Sequence, residues 1–263
     1  MALTARVEGV GLVGPGLSGW EVARAILAGR EQYVHAATVI PAPEALPAVE
    51  RRRAGKSVKL ALAAGMAAAT ASGRAVGDLA AVFASSTGDG ENLHAICEAL
   101  ASPDRLISPT RFHNSVHNAP SGYWGIATGA TQAADSLAAF DASFAAGLLE
   151  ALGRLAAEPA QPVVLIAYDA PYPEPLHAKR PIPDGFATAL VFASPSHSTR
   201  GPAIAIDGEP GEPDRMSDPA LESLRRAIPA ARSLPLLARL AAESPGRAIL
   251  EYLDDLSLAV TVS

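Results

Sequence analysis

The sequence predicts an α/β fold, and three observations support this class. Short apolar runs alternate with longer segments of helical pattern, which is the order of elements in α/β proteins. The run LAAVFASS, residues 79–86, is apolar enough for a strand covered on both faces. Aromatic residues form only 5% of the chain, so the core must consist mostly of Ala, Leu, Val and Ile. We expect residues 1–263 to form one domain.

Composition excludes several classes of protein. The net charge of -6 and the pI near 5.5 argue against a nucleic-acid binder, which usually carries a basic face. The single cysteine, Cys97, excludes an internal disulfide framework and fits a reducing cytoplasm, where we expect it to be a packed core thiol. The longest apolar runs are too short to cross a bilayer, so the sequence predicts a soluble, cytoplasmic protein without a membrane span.

The first third of the chain predicts a strand and two helices. Residues 6–13 read as a strand, and Ser18 with Glu21 forms a capping box for a helix from about 19 to 27. A proline-containing excursion at 33–49 then crosses the surface. A second helix at 50–72 begins with a basic cluster, which is either a solvated helix start or a surface for an acidic partner. The cluster consists of Arg51, Arg52, Arg53, Lys56 and Lys59.

After the strand at 79–86 the sequence predicts a tight turn, in which Asp89 caps the helix that follows. A polar, aromatic segment, residues 108–129, comes after that helix. His113 and His117 lie four residues apart and would share one face of a helix, a spacing that can suit a metal. No third ligand is evident, so hydrogen-bonded histidines are the default interpretation. We expect neither a metal nor a cofactor.

The stretch 129–152 reads as a short strand, a tight junction at Phe140 and Asp141, and an apolar helix. Many α/β proteins place a nucleophile at such a junction, because the free amides at a helix N-terminus stabilise an anion. Whether this junction carries one is the main functional question.

The remaining elements are mostly strands. They are predicted at 162–169, at 186–194 after a long proline-rich loop, and at 203–207, where the strand may pair beside the previous one. From 218 to 240 the pattern is helical with breaks at Pro229 and Pro235, and the chain ends on a strand.

The order of these pieces resembles a known family. The pieces are VGLVGPGLSGWEVARAILAG, RRRAGKSVKLALAAGMAAA, AVFASSTGDGENL, SPTRFHNSVHNAPSGYWGIATGA and DGFATALVFAS. From about Val7 to Asp207 the chain resembles the N-terminal half of a β-ketoacyl synthase, especially the short ketosynthase-like proteins of fatty-acid-like and aryl-polyene pathways. Residues 208–263 lie beyond the resemblance as a C-terminal extension. The resemblance implies a thiolase-like layered fold, present as a single N-terminal half with a mixed sheet and packed helices.

The resemblance also locates the nucleophile position. The family motif, of the type Thr-Ala-Cys-Ser-Ser-Ser-Leu, falls on residues 138–144 and places Phe140 where the cysteine belongs. Phenylalanine cannot form a thioester, so acyl transfer through this residue is excluded. Ser143 is a weak candidate nucleophile, since it lacks a G-x-S-x-G elbow and is expected to bond the backbone.

The resemblance therefore implies association rather than chemistry. It suggests a non-catalytic subunit, similar to a chain length factor, in a homodimer or in a heterodimer with a full-length ketosynthase, and an acyl carrier protein as a further partner. A lone half of the fold would expose apolar surface for that contact. Two alternatives stay open: an acyl enzyme, either a 3-oxoacyl-[acyl-carrier-protein] synthase or a thioesterase with partner-supplied residues, and an acyl-chain binding module. The expected interface or pocket residues are His113, Asn114, His117, Asn118, Tyr123, Trp124, Phe140 and Phe144.

Overall fold

The computed structural model describes residues 3–263, and in this part of the chain nine strands form one mixed sheet. The strands are β1 (Leu3–Gly14), β2 (Leu17–Ser18), β3 (Ala80–Ala84), β4 (Ala134–Leu137), β5 (Val163–Asp169), β6 (Phe186–Ala193), β7 (Ala203–Glu209), β8 (Gly246–Leu253) and β9 (Leu256–Val262). Their order is β4-β3-β5-β6-β1-β7-β9-β8, with β2 paired to β1. β3 is parallel to β4 and β5, and every other neighbouring pair is antiparallel.

Ten α-helices connect or cover these strands within residues 3–263. They are α1 (Trp20–Leu27), α2 (Ala48–Arg53), α3 (Lys56–Ser72), α4 (Gly90–Ala101), α5 (Pro109–His113), α6 (Ala119–Thr128), α7 (Ser143–Ala157), α8 (Leu176–Lys179), α9 (Pro219–Ala227) and α10 (Leu234–Ala241). Short 3-10 turns span Val76–Asp78, Phe140–Ala142 and Pro229–Ser233. None of the helices in the described range has the length and apolar character needed to span a bilayer.

Two hydrophobic clusters cover the two faces of the sheet. Because strand side chains alternate between faces, Val82 and Leu165 pack in the cluster of α7, whereas Phe83 and Ile166 pack in the cluster of α3. β3, β5 and β6 are buried along their full length, as predicted for central strands.

Glycine and alanine let α3 lie very close to β1. A Cβ atom on Gly9 would collide with the backbone of Ala68, and one on Gly11 would collide with the backbone of Ala64. The low aromatic content of the chain therefore has a packing role: small residues bring the backbones of helix and strand together.

Residues 208–263 are built into this core. β8 and β9 form a hairpin that extends the sheet beyond β7, and α7 contacts β3 and β5 as well as β8 and the Pro229–Ser233 turn. The predicted pairing of 203–207 with the strand 186–194 is wrong. β1 lies between them, because this 12-residue strand pairs with β7 through residues 3–6 and with β6 through residues 6–13.

Three predicted boundaries also differ. The Ser18 capping box is absent, because Ser18 belongs to β2 and Gly19, with φ 96°, occupies the N-cap without a side-chain bond. The helix predicted at 50–72 is interrupted between α2 and α3. Pro235 breaks nothing, since it lies in the first turn of α10, where a missing N–H leaves no hydrogen bond unmade.

Candidate functional site

The junction between β4 and α7 has the backbone of a nucleophile elbow. We call residues 138–142 the elbow. Phe140 has φ 51°, a left-handed conformation that residues other than glycine seldom adopt. A strained residue between a strand and a helix is the geometry that presents a nucleophile in other α/β proteins. Here that residue is a phenylalanine.

Ser143 holds the elbow together from the first position of α7. Its hydroxyl donates a hydrogen bond to the carbonyl of Phe140 at 2.7 Å and accepts one from the amide of Ala139 at 3.0 Å. The residue is 1% exposed. The hydroxyl proton is thus committed to the backbone, which is the structural role expected from the sequence.

A cation covers the ring of Phe140. The side chain of Phe140 is 62% exposed, and the guanidinium carbon of Arg180 lies 3.6 Å from its ring centroid. Arg180 comes from the proline-rich loop before β6 and also forms an ion pair of 2.5 Å with Asp141. The loop thereby contacts two consecutive residues of the elbow.

Asp141 extends this contact to the C-terminal part of the chain. Its other carboxylate oxygen lies 3.0 Å from Arg232, which in turn pairs with Glu251. Arg232 is in the Pro229–Ser233 turn and Glu251 is in β8. The elbow is therefore braced by residues of the segment 208–263.

A free sheet edge lies beside the elbow. β4 is the terminal strand of the sheet. The carbonyls of Ala133 and Leu137 accept hydrogen bonds from the amides of Ala81 in β3 and of Ser85 just after β3, at 3.0 and 3.2 Å. Because backbone groups alternate in direction along a strand, Ala134 and Ser136 point their N–H and C=O groups away from β3. These groups can pair with another strand.

Exposed apolar side chains precede this edge in the chain. Phe112, Val116 and Ile126 are 67%, 53% and 48% exposed, and α6, which carries Ile126, contacts β4. Exposed apolar side chains together with an unpaired sheet edge are typical of a protein interface.

The residues expected at the interface divide into two groups. Tyr123, Trp124 and Phe144 are at most 2% exposed and belong to the chain's own core, where Trp124 packs edge-on against Phe83. Asn114 is buried as well and accepts a hydrogen bond from the hydroxyl of Tyr123 at 3.2 Å. These four side chains are not available to a partner. His113, Asn118 and Phe140 are exposed and His117 is half-buried.

The two histidines do not share a helical face. α5 ends at His113, and His117 lies in the turn before α6, with its Nε2 atom 3.3 Å from the carbonyl of Ser85. Between residues 3 and 263 there is no group of three or more His, Cys, Asp or Glu side chains arranged to hold a metal. His177 lies in the short helix α8 and His197 in a loop.

Sequence reasoning missed a buried carboxylate behind the elbow. Asp169, at the end of β5, accepts hydrogen bonds from the amide and hydroxyl of Ser86 at 2.9 and 2.7 Å and from the amide of Ala230 at 2.8 Å. Burial raises the pKa of Asp169 to about 6, against the lowering effect of these bonds. Asp169 links β3 and β5 to the Pro229–Ser233 turn, which contacts the elbow. The sequence signal that could have indicated this site is the position of Asp169 at the end of the apolar run 162–169.

Most residues of the basic cluster line a cleft of about 480 Å³ at the junction of α2 and α3, which we call the basic cleft. Its charged lining consists of Arg52, Arg53, Lys56, Lys59, Arg111, Asp89 and Glu91. Lys56 and Glu91 pair at 3.2 Å, and the cations outnumber the acids.

Cys97, expected in the core, is exposed on α4, because the buried side of that helix carries Asn92 and Ile96 instead.

Comparison with known proteins supports the fold. The family described as Beta-ketoacyl synthase, N-terminal domain, matches residues 27–244. No curated protein sequence matches the chain. The resemblance predicted from the motifs is thus confirmed.

Solved structures with the same fold include three ketosynthase complexes. A chain of a ketosynthase in complex with its chain length factor from Xenorhabdus doucetiae is 23% identical, with a TM-score of 0.73, covering 98% of this chain and 99% of that one. The ishigamide ketosynthase/chain length factor is 15% identical, with a TM-score of 0.71 and the same coverage. A third structure holds a type II polyketide synthase acyl carrier protein in complex with its ketosynthase bound to the hexaketide. Its matching chain is 11% identical, with a TM-score of 0.76, covering 100% of this chain and 99% of that one. The thiolase-like fold class is confirmed.

Proposed function

The chain belongs to the β-ketoacyl synthase family, and on this premise we propose that it is a non-catalytic subunit similar to a chain length factor. It pairs with a full-length ketosynthase or with a second copy of itself and supports chain extension of the fatty-acid or polyketide kind. Aryl-polyene formation is the specific case to which the sequence motifs point.

Phe140 at the elbow is the observation that carries this proposal. Condensation through a covalent intermediate requires a nucleophile that attacks the acyl thioester, forms a new thioester and expels the carrier thiol. A phenyl ring has no such group. The hydroxyl of Ser143 donates its hydrogen bond to the Phe140 carbonyl, so its proton points at a backbone acceptor that is not a general base. Cys97 lies on α4, outside the elbow.

The edge of β4 supports the association part of the proposal. Strand-to-strand pairing at this edge would satisfy the outward backbone groups of Ala134 and Ser136 and would extend the sheet into the partner. In a homodimer the same edge would serve both subunits across a two-fold axis. Phe112, Val116 and Phe140 would supply apolar surface to that contact.

The basic cleft supports a third component, an acyl carrier protein with an acidic surface. Complementary charge accelerates the encounter of two proteins and selects the partner. Arg52 is exposed and Lys59 half-exposed at this cleft, so both can face an incoming acidic helix.

Intact mass spectrometry tests the absence of chemistry. The exposed thiol of Cys97 could exchange with thioesters without catalysis, so the Cys97→Ser variant is the protein to use. After incubation with a decanoyl-acyl-carrier-protein, we expect no decanoyl adduct on this variant, while an active ketosynthase treated in parallel gains one.

A decanoyl adduct on the Cys97→Ser chain would contradict the non-catalytic role and would support the acyl-enzyme alternative, including a role for Ser143. A stable monomer that retains lipid without a covalent adduct would instead support the binding-module alternative.

A further inference from the structure

A second cavity, of about 460 Å³, lies between β1, α1, α10 and the end of β9. β1 is four strands away from β4 in the sheet order, which corresponds to roughly 19 Å at about 4.8 Å per strand. The cavity is thus separate from the elbow and from the β4 edge, and the inference below does not rest on the proposed function. We call it the Arg239 cavity.

A β-bulge in β1 shapes one wall. The pairing register with β6 shifts between Val7 and Gly9, so Glu8 is the extra residue. The Glu8 carboxylate is fully buried and accepts hydrogen bonds from Arg74 and Ser198. Burial acts to raise the pKa of Glu8, but these bonds lower it overall. Glu8 is therefore an ionised residue of the cavity wall whose charge is balanced by Arg74. It leaves the cavity without an unpaired negative charge on this side.

The remaining walls are mainly apolar. They include Val7, Val10, Trp20, Leu240, Pro245 and Val262. Two charged residues at the rim, Arg24 and Glu243, form an ion pair of 2.6 Å with each other. A volume of this size lies within the range of about 300–1,000 Å³ that is usual for small-molecule sites.

Arg239 is the charged lining residue without a counter-charge. Its Nε atom is buried and has no hydrogen-bond partner among residues 3–263. None of the ion pairs in that range includes Arg239. A Cβ atom on Gly246 would come within 2.6 Å of its Nη1 atom, so the glycine makes room for the guanidinium. A buried donor left unpaired destabilises a protein, so the position of this guanidinium needs an explanation.

We infer that the Arg239 cavity binds a small monocarboxylic acid with an apolar body. The carboxylate accepts hydrogen bonds from the two Nη atoms of Arg239, which unlike its buried Nε atom are accessible, and guanidinium and carboxylate favour such a paired contact. The apolar body lies against Trp20 and Val10. A single cation without an ion-pair partner balances the charge of a monoanion, whereas phosphate or a dicarboxylate would bring more negative charge than Arg239 can balance.

Isothermal titration calorimetry with sodium hexanoate tests the inference on the full chain alone. We expect hexanoate to bind and both 1-hexanol and inorganic phosphate to bind at least tenfold more weakly. The Arg239→Met variant, which keeps an unbranched stem of similar shape and removes the guanidinium, should lose at least tenfold in hexanoate affinity. The same substitution at the exposed Arg226 on α9 is the matched control and should leave the affinity unchanged.

Absence of hexanoate binding, equal binding of 1-hexanol, or unchanged affinity in Arg239→Met would each overturn the inference. If Arg239→Met does not fold, Arg239→Lys takes its place, because lysine keeps the charge but lacks the planar fork. Hexanoate affinity should then fall at least threefold, and an unchanged affinity would again be contradictory.

Discussion

The guanidinium carbon of Arg180 lies 3.6 Å from the ring centroid of Phe140, and the same guanidinium pairs with Asp141. A loop residue forty positions later in the chain thus covers the side chain that we predict to occupy the nucleophile position of a ketosynthase. The elbow keeps its strained backbone, yet its exposed side chain is an aromatic ring paired with a cation. The proposed non-catalytic role rests on this arrangement.

A double-mutant cycle should detect the contact between Phe140 and Arg180. We expect Phe140→Leu and Arg180→Met to be coupled by about 0.5–1 kcal/mol in the free energy of unfolding, the magnitude of a cation–π pair at an exposed site. Urea unfolding of the four proteins measures it. The control pair is Phe140→Leu with Arg52→Met on α2, whose effects on the free energy of unfolding should add. If the effects of Phe140→Leu and Arg180→Met also add, the stacking contributes nothing to stability.

Asp169 should make stability depend on pH. Its folded pKa of about 6 lies above the unfolded value of about 3.9, so the folded state binds more protons between these values. The stabilisation is complete below about pH 4 and is lost as the pH rises through about 6. Relative to Asp169→Asn, the wild-type chain should lose about 2 kcal/mol of unfolding free energy between pH 4 and pH 7.

The comparison with Asp169→Asn isolates this group, because the other titrating groups contribute equally to both proteins. The variant itself should be less stable at pH 4, since one side-chain oxygen becomes an NH₂ group facing Ser86 or Ala230. Chemical unfolding at several pH values gives the difference, and a difference that is constant across the range would refute the assignment to Asp169.

Charge reversal at the basic cleft should weaken the encounter with an acidic carrier. In Arg52→Glu we expect the association rate with an acyl carrier protein to fall several-fold at low salt and the difference to shrink at high salt, because exposed charges are screened. Surface plasmon resonance at two ionic strengths measures the rates. The control is Arg30→Glu, an exposed arginine after α1, outside the cleft. Equal rates for both variants would exclude the cleft as the docking surface.

The central strands and the elbow could be predicted from the sequence because their patterns are local. Continuous apolar runs specified β3, β5 and β6, and small residues followed by Phe140 and an apolar helix specified the elbow. Asp89 acts as the predicted helix cap, accepting a hydrogen bond from the amide of Asn92 at 2.9 Å.

The rest depends on contacts between distant parts of the chain. No local pattern indicates that Arg180 and Arg232 meet at Asp141, or that β1 separates β6 from β7. Aromatic residues in a polar segment suggested a surface, but Tyr123 and Trp124 pack inward under α3. For the same reason the exposure of Cys97 could not be read from its helix alone.

Light scattering on size-exclusion fractions tests the central claim, that this chain acts by association through the β4 edge. It is applied to the chain alone and after co-expression with a full-length ketosynthase. Ala134→Pro removes an outward N–H without disturbing the bonds to β3, which proline tolerates at an edge strand. Leu253→Ser, an exposed leucine on the opposite edge strand β8, is the control.

We predict a homodimer or a heterodimer with the ketosynthase for the wild-type chain and for Leu253→Ser, with dissociation at least about tenfold more favourable in Ala134→Pro. A chain that stays monomeric with and without the ketosynthase, or a dimer equally stable in Ala134→Pro, would contradict the account.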